Sequence, residues 1–130
     1  MKTVTLICGL PNAGKTTYSE QFDNVFHLDD FDCRTFKKKF DMCNKTSSKS
    51  ETDVYVEGCY HRKSLRKEFI ETFKDWKKVC IWFNTPLDVC LSRCEKARSE
   101  MVVLSINKAF QEPTKDEGWD ELIVLDYDKI

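Results

Sequence analysis

The sequence lacks a surplus of either charge. Its 130 residues carry 21 lysines and arginines against 22 aspartates and glutamates, a formal net charge of −1. No global basic field is therefore available to draw in nucleic acid, although a local patch stays possible. No apolar run approaches the length needed to cross a bilayer, and the first residues read as a strand instead of a secretory leader. Also missing are a Cys-x-x-Cys pair, an internal repeat and a linker between domains. The seven cysteines, Cys8, Cys33, Cys43, Cys59, Cys80, Cys90 and Cys94, are an odd and scattered set. Cys90 and Cys94 sit at helical spacing beside leucines, so reduced thiols in core positions are expected over disulfides or a zinc site. The expectation is one soluble, cytoplasmic domain over residues 1–130, with no membrane partner and an oligomeric state left open. A chain of this length can bury roughly two-thirds of its unfolded surface, enough for a core without staples.

What is present is an alternation. Short apolar runs recur at Val4–Cys8, Val25–Leu28, Val54–Val56, Val79–Phe83 and Leu122–Leu125, with helical patterns between them. That order predicts an α/β fold with three layers, α/β/α, around a parallel sheet of about five strands. Ser64 to Trp76 carries Leu65, Phe69, Phe73 and Trp76 on one stripe, the mark of a helix packed by one face. Thr85-Pro86-Leu87-Asp88 reads as a helix start, with Thr85 as cap, Pro86 in the first turn and Asp88 at the positive end. Leu87, Cys90, Leu91 and Cys94 then form its buried face. Phe36, Phe40 and Cys43 suggest a further helix after the second strand. Residues 44–52 are polar, without hydrophobic period, and read as a loop.

The first strand runs into Gly9-Leu10-Pro11-Asn12-Ala13-Gly14-Lys15-Thr16-Thr17, a complete G-x-x-x-x-G-K-T pattern. A buried strand, a glycine-bearing turn and a helix in that order converge backbone N–H groups on a phosphate. Lys15 is placed to reach the β- and γ-phosphates, and the Thr16 hydroxyl to ligate Mg²⁺. Gly9, Pro11, Asn12, Ala13, Gly14, Lys15, Thr16 and Thr17 are thus the expected site for a nucleoside triphosphate, ATP or GTP.

Ligands of open parallel sheets bind beyond the carboxyl ends of the strands. After the second strand come His27-Leu28-Asp29-Asp30-Phe31-Asp32, after the third Glu57-Gly58, and after the fourth a helix leading to Arg93, Lys96 and Arg98. Transfer of a phosphoryl group to an alcohol gains from a carboxylate that takes the hydroxyl proton; Asp29 is the candidate base. Asp30 stands next to it, as an acceptor contact or a helix cap, and His27 reads as a packing or surface residue. Glu57 ends an apolar strand, where it can hold Mg²⁺ through water, orient the acceptor, or stand exposed. Arg62, Lys63 and Arg66 begin a helix where cations oppose the dipole, so a phosphate-bearing acceptor is one reading of Arg66 and a solvated surface the other. Arg93 and Arg98 are the candidates for stabilising charge on the terminal phosphates. Continuing the helix would return Arg98 to its apolar face, so it points into the site or the helix ends first.

These residues resemble the P-loop kinases, and among them the phage-type polynucleotide 5′-hydroxyl kinases and zeta-toxin-like small kinases. The similarity runs through Gly9–Thr17, His27–Phe31, Arg93–Arg98 and Phe110–Glu121. It implies the strand order 2-3-1-4-5, Asp29 as general base, Arg98 on the transferring phosphate, and Pro113 and Thr114 near the adenine. It also implies a 5′-hydroxyl acceptor at a nucleic-acid or nucleotide-like end. Those kinases commonly carry an arginine three residues after the base; here Asp32 stands there and Arg34 nearby is the substitute. Val56-Glu57-Gly58 is closer to uridine and nicotinamide-riboside kinases, which implies a nucleoside or small-metabolite acceptor. A nucleotide-binding switch or accessory module with slow ATPase activity is the alternative of another class.

Overall fold

A computed structural model describes residues 2–27, 35, 38–41, 44 and 53–127 of the chain. Its strands are β1 (Thr3–Gly9), β2 (Val25–His27), β3 (Val54–Glu57), β4 (Lys77–Asn84) and β5 (Glu121–Asp126). The helices are α1 (Lys15–Ser19), α2 (Lys63–Thr72), α3 (Leu87–Ser92) and α4 (Ala97–Ala109), and a 3₁₀ turn covers Lys115–Glu117. All neighbouring strands run parallel, in the order β2-β3-β1-β4-β5. Both the α/β class and the order match expectation.

Successive side chains of a strand point to opposite faces, and both faces of the sheet are covered, so the strands are apolar almost throughout. Val4, Leu6 and Cys8 of β1, Val54 and Val56 of β3 and Cys80 of β4 face one layer, where they meet Phe69 and Phe73 of α2, Phe40 and Trp119. Ile7 of β1 and Val79, Ile81 and Phe83 of β4 face the other, against Cys90 of α3 and Val103 of α4. No disulfide joins the five cysteines among the described residues, and Cys8 and Cys80 pack sulfur to sulfur at 3.8 Å.

Two helices depart from the sequence pattern. α2 stops at Thr72, with Phe73 as its cap, and Trp76 follows in a turn whose N–H donates to the Phe73 carbonyl at 3.0 Å. Trp76 still meets Phe73 edge to face, so it joins the aromatic core without being helical. The helix after β4 begins at Leu87 with Pro86 as N-cap, one residue later than expected. Thr85 does not cap it: its hydroxyl donates to the Ala13 carbonyl at 2.8 Å, fixing the end of β4 to the loop after β1. Of the helix expected after β2, residues 38–41 are helical, with Phe40 buried; Phe36 and Cys43 lie outside the described residues. So does the polar stretch from 45 to 52.

Candidate functional site

The loop after β1 is built from a few conformational necessities. Gly9 has φ +151°, and a Cβ there would lie 2.8 Å from the Phe83 carbonyl oxygen, so only glycine lets β1 and β4 approach this closely. Gly14 has φ +107° and opens α1, and Asn12 also takes a positive φ of 65°. A turn bond from Ala13 N–H to the Leu10 carbonyl (3.2 Å) closes the loop. Thr85 from below and Arg93 from the side then hold it, the latter donating through Nη1 to the Asn12 carbonyl at 2.8 Å.

Lys15 is 5 % exposed. Its Nζ donates to the carbonyls of Gly9 (2.7 Å) and Leu10 (2.8 Å) and lies 3.8 Å from the Cys59 sulfur. The ammonium is therefore already oriented within the loop. This is the group a phosphate-binding loop needs: a compact cation among backbone N–H donors.

A cleft of about 990 Å³ opens over the loop. Residues Pro11 to Tyr18 line one side; Glu57, Gly58, Cys59, Tyr60 and His61 line the second; and Arg93, Val102 and Ile106 close the third. The second side exists because β3 pairs with β1 in register Ile7↔Glu57, with Gly58 N–H donating to the Ile7 carbonyl at 3.1 Å. Glu57 thus ends the strand that neighbours β1 and the loop after it. Its Oε2 lies 2.9 Å from His27 Nδ1, the residue it pairs with across β2–β3. Burial pushes the His61 imidazole below its ordinary value, and the Arg62 and Arg66 cations push it the same way. Burial also raises the Cys90 thiol behind the loop, against the opposing cations of Lys15 and Arg93.

Thr16 and Glu57 both line this cleft and offer hard oxygen donors, the kind Mg²⁺ takes when it is held jointly with phosphates. Among the described residues no group of three His, Cys, Asp or Glu side chains is placed to hold a metal alone.

The other expected site residues are distributed differently. Arg66 does not face the cleft. It is fully buried and gives Nε to Glu117 Oε1 (2.8 Å), Nη2 to Glu117 Oε2 (3.0 Å) and to the Gln111 carbonyl (2.7 Å), and Nη1 to the Tyr60 carbonyl (2.7 Å). Each of the three guanidinium nitrogens donates inside the protein and the residue is fully buried, so neither an acceptor phosphate nor solvent can claim it. Arg98 lies exposed in the first turn of α4, outside the cleft lining, because α3 ends at Ser92 and a new helix starts at Ala97. Arg93, at the C-cap of α3, is instead the arginine against the loop, with its guanidinium 6.0 Å from the Tyr127 ring centre. Pro113 is buried and Thr114 precedes the 3₁₀ turn, its N–H donating to Glu117 Oε2 at 3.2 Å; neither lines the cleft. Asp29, Asp30, Asp32 and Arg34 lie outside the described residues.

Three contributors carried no local signal: Thr85 as support for the loop, His27 as partner of Glu57, and His61 in the cleft wall. Only the pairing of β2 with β3 reveals that His27 and Glu57 stand side by side.

No protein-family model matches the sequence, and no curated protein is detectably similar to it. Solved structures do match. A gluconokinase from Sinorhizobium meliloti superposes with a TM-score of 0.69 at 11% identity, over 95% of this chain and 82% of its own. A sugar kinase from a Janibacter species gives 0.68 at 13% identity, over 97% and 85% of the two chains. Shikimate kinase from Acinetobacter baumannii, in complex with shikimate, gives 0.54 at 14% identity, over 95% and 83%. At these identities the likeness carries the architecture alone: the chain shares the α/β fold of these three structures.

Proposed function

We propose that the protein transfers the γ-phosphate of ATP to a hydroxyl of a small polar metabolite. The observation that carries this reading is the convergence of Lys15, Thr16, Glu57 and Arg93 on one cleft above the loop after β1. A loop with a buried lysine suits a triphosphate, an arginine beside it suits charge developing on the transferring group, and the acid at the end of β3 suits Mg²⁺. Bound Mg²⁺ would neutralise the phosphate oxygens; Thr16 and Glu57 are the residues that would hold it. Asp29, two residues beyond His27 in sequence, is the proposed base for the acceptor hydroxyl.

The small acceptor is favoured over a nucleic-acid end for two reasons. The superposed structures include a gluconokinase, a sugar kinase and a shikimate kinase, all named for small hydroxylated molecules. And Arg66, one of the two cations read as candidates for a phosphate-bearing acceptor, is committed to Glu117 inside the protein. A nucleoside is the nearest competing acceptor, in keeping with Glu57-Gly58 at the end of β3.

The test is transfer of label from γ-phosphate-labelled ATP to a panel of sugars, sugar acids, cyclic polyhydroxy acids, nucleosides and 5′-hydroxyl oligonucleotides. Label on a small molecule, lost in Asp29→Asn, supports the reading. Label on the oligonucleotide alone would reverse the choice of acceptor. Label on none, with ATP turnover unchanged in Asp29→Asn, would leave a nucleotide-binding module without transferase activity.

A further inference from the structure

His27 ends β2 and Glu57 ends β3, and they are register partners in a parallel pair. Their side chains therefore leave the same face of the sheet side by side, at the strand ends where the cleft opens. The Glu57 side chain is 12% exposed and His27 34%, with Nδ1 to Oε2 at 2.9 Å. An ionised carboxylate only accepts hydrogen bonds, so in this contact Nδ1 carries the proton. Among the described residues Glu57 has no other hydrogen-bond partner, and its Oε1 is left for a ligand. A lone glutamate at a strand end has several rotamers to lose on binding. One tethered through a single oxygen has lost them already.

We propose that His27 is the positioning residue of this site: it fixes the Glu57 carboxylate in one orientation, so that the second oxygen serves the cation or its water shell beside Thr16. The imidazole touches neither nucleotide nor acceptor and acts only through Glu57. This explains a feature with no role in packing. Neither residue belongs to the buried core, yet the two partly exposed polar side chains are held together at hydrogen-bond distance, Glu57 in the wall of the cleft and His27 behind it, outside the lining. The kinetic consequence rests on the phosphotransferase reading; the hydrogen bond and its effect on cation binding do not.

Three measurements test it. In ¹⁵N spectra of the neutral imidazole, His27 should be the Nδ1–H tautomer, the form less favoured in free histidine, and should revert in Glu57→Ala. The second measurement compares ATP affinity with and without Mg²⁺ in wild type, His27→Phe and His27→Asn. The asparagine amide can place a donor where Nδ1 stood; phenylalanine keeps the ring and removes the donor. His27→Phe should lose about tenfold of the tightening that Mg²⁺ confers, the size of a charge-assisted hydrogen bond. Affinity without Mg²⁺ should stay within about twofold, and His27→Asn should regain most of the loss. Third, kcat for the labelled acceptor should follow the same order while the acceptor KM changes little. An Nε2–H tautomer, equal losses in both variants, or an equal loss without Mg²⁺ would each overturn the proposal. If wild type labels no acceptor while the first two results hold, the positioning role stands and the phosphotransferase reading fails.

Discussion

Replacing Arg66 by methionine should unfold this protein more readily without disabling its chemistry. The guanidinium is completely buried and Glu117, its partner, is 10% exposed at the side chain. Removing the cation leaves a nearly buried carboxylate whose remaining donors are the Trp119 indole at 3.1 Å and the Thr114 N–H at 3.2 Å. It also strips a donor from the carbonyls of Tyr60 and Gln111. Breaking a buried pair by deleting one partner costs about 3–5 kcal/mol. For a chain of this length that lowers the melting temperature by about 10–20 °C. The double variant Arg66→Met, Glu117→Leu removes both charges and should recover at least about 2 kcal/mol relative to the single variants, a coupling readable in a double-mutant cycle. The assay is thermal and urea unfolding of the four proteins, with ATP affinity measured below the transition. A loss under about 1 kcal/mol, or a large rise in acceptor KM with stability intact, would refute the structural role and return Arg66 to the acceptor site.

Gly9→Ala should cost at least about 2 kcal/mol and weaken ATP binding, because the left-handed φ and the 2.8 Å approach to the Phe83 oxygen both oppose a Cβ; urea unfolding measures it. Thr85→Val removes the buried bond to the Ala13 carbonyl and should cost about 1–2 kcal/mol while lowering ATP affinity, whereas Thr85→Ser should retain both. Thiol labelling of the native protein should reach Cys59 and Cys94 before Cys8, Cys80 and Cys90, which are fully buried, and ATP should slow Cys59, whose sulfur lies in the cleft near Lys15. The hydrogen bond with Cys8, then burial, also raises the Cys80 thiol, and burial raises that of Cys90. His61 should titrate below its ordinary 6.5 in NMR spectra and move upward when a polyanion enters the cleft. A lowered imidazole binds fewer protons folded than unfolded, so its contribution to stability is present above 6.5 and is lost as pH falls through the folded value.

The fold could be read from local pattern because each strand is a short apolar run and α2 carries a stripe; α4, whose buried residue is Val103, has no such stripe and left no signal. The loop after β1 could be read because its glycines answer to backbone geometry at fixed spacing. Interactions between distant segments left no such trace. Arg66 meets Glu117 from 51 residues away, Thr85 meets Ala13 from 72 and His27 meets Glu57 from 30. Thr85 has the look of a helix cap because Pro86 and Asp88 follow it; the hydroxyl goes instead to a carbonyl that the sheet brings beneath it. Arg98 was placed by extending one helical stripe through residues 93–96, where the chain breaks and restarts as α4. The break gives Arg93 the position against the loop and leaves Arg98 in solvent.

Calorimetric titration of ATP with Mg²⁺ into wild type and Lys15→Ala tests the central claim most directly, with melting curves of both to confirm folding. Wild type should bind one ATP. Loss of the ammonium held at the Gly9 and Leu10 carbonyls should weaken binding on the order of 10- to 100-fold, the worth of a charge-assisted contact to phosphate. Equal affinity in the two folded proteins, or no ATP binding by wild type, would contradict the assignment of this cleft to a triphosphate.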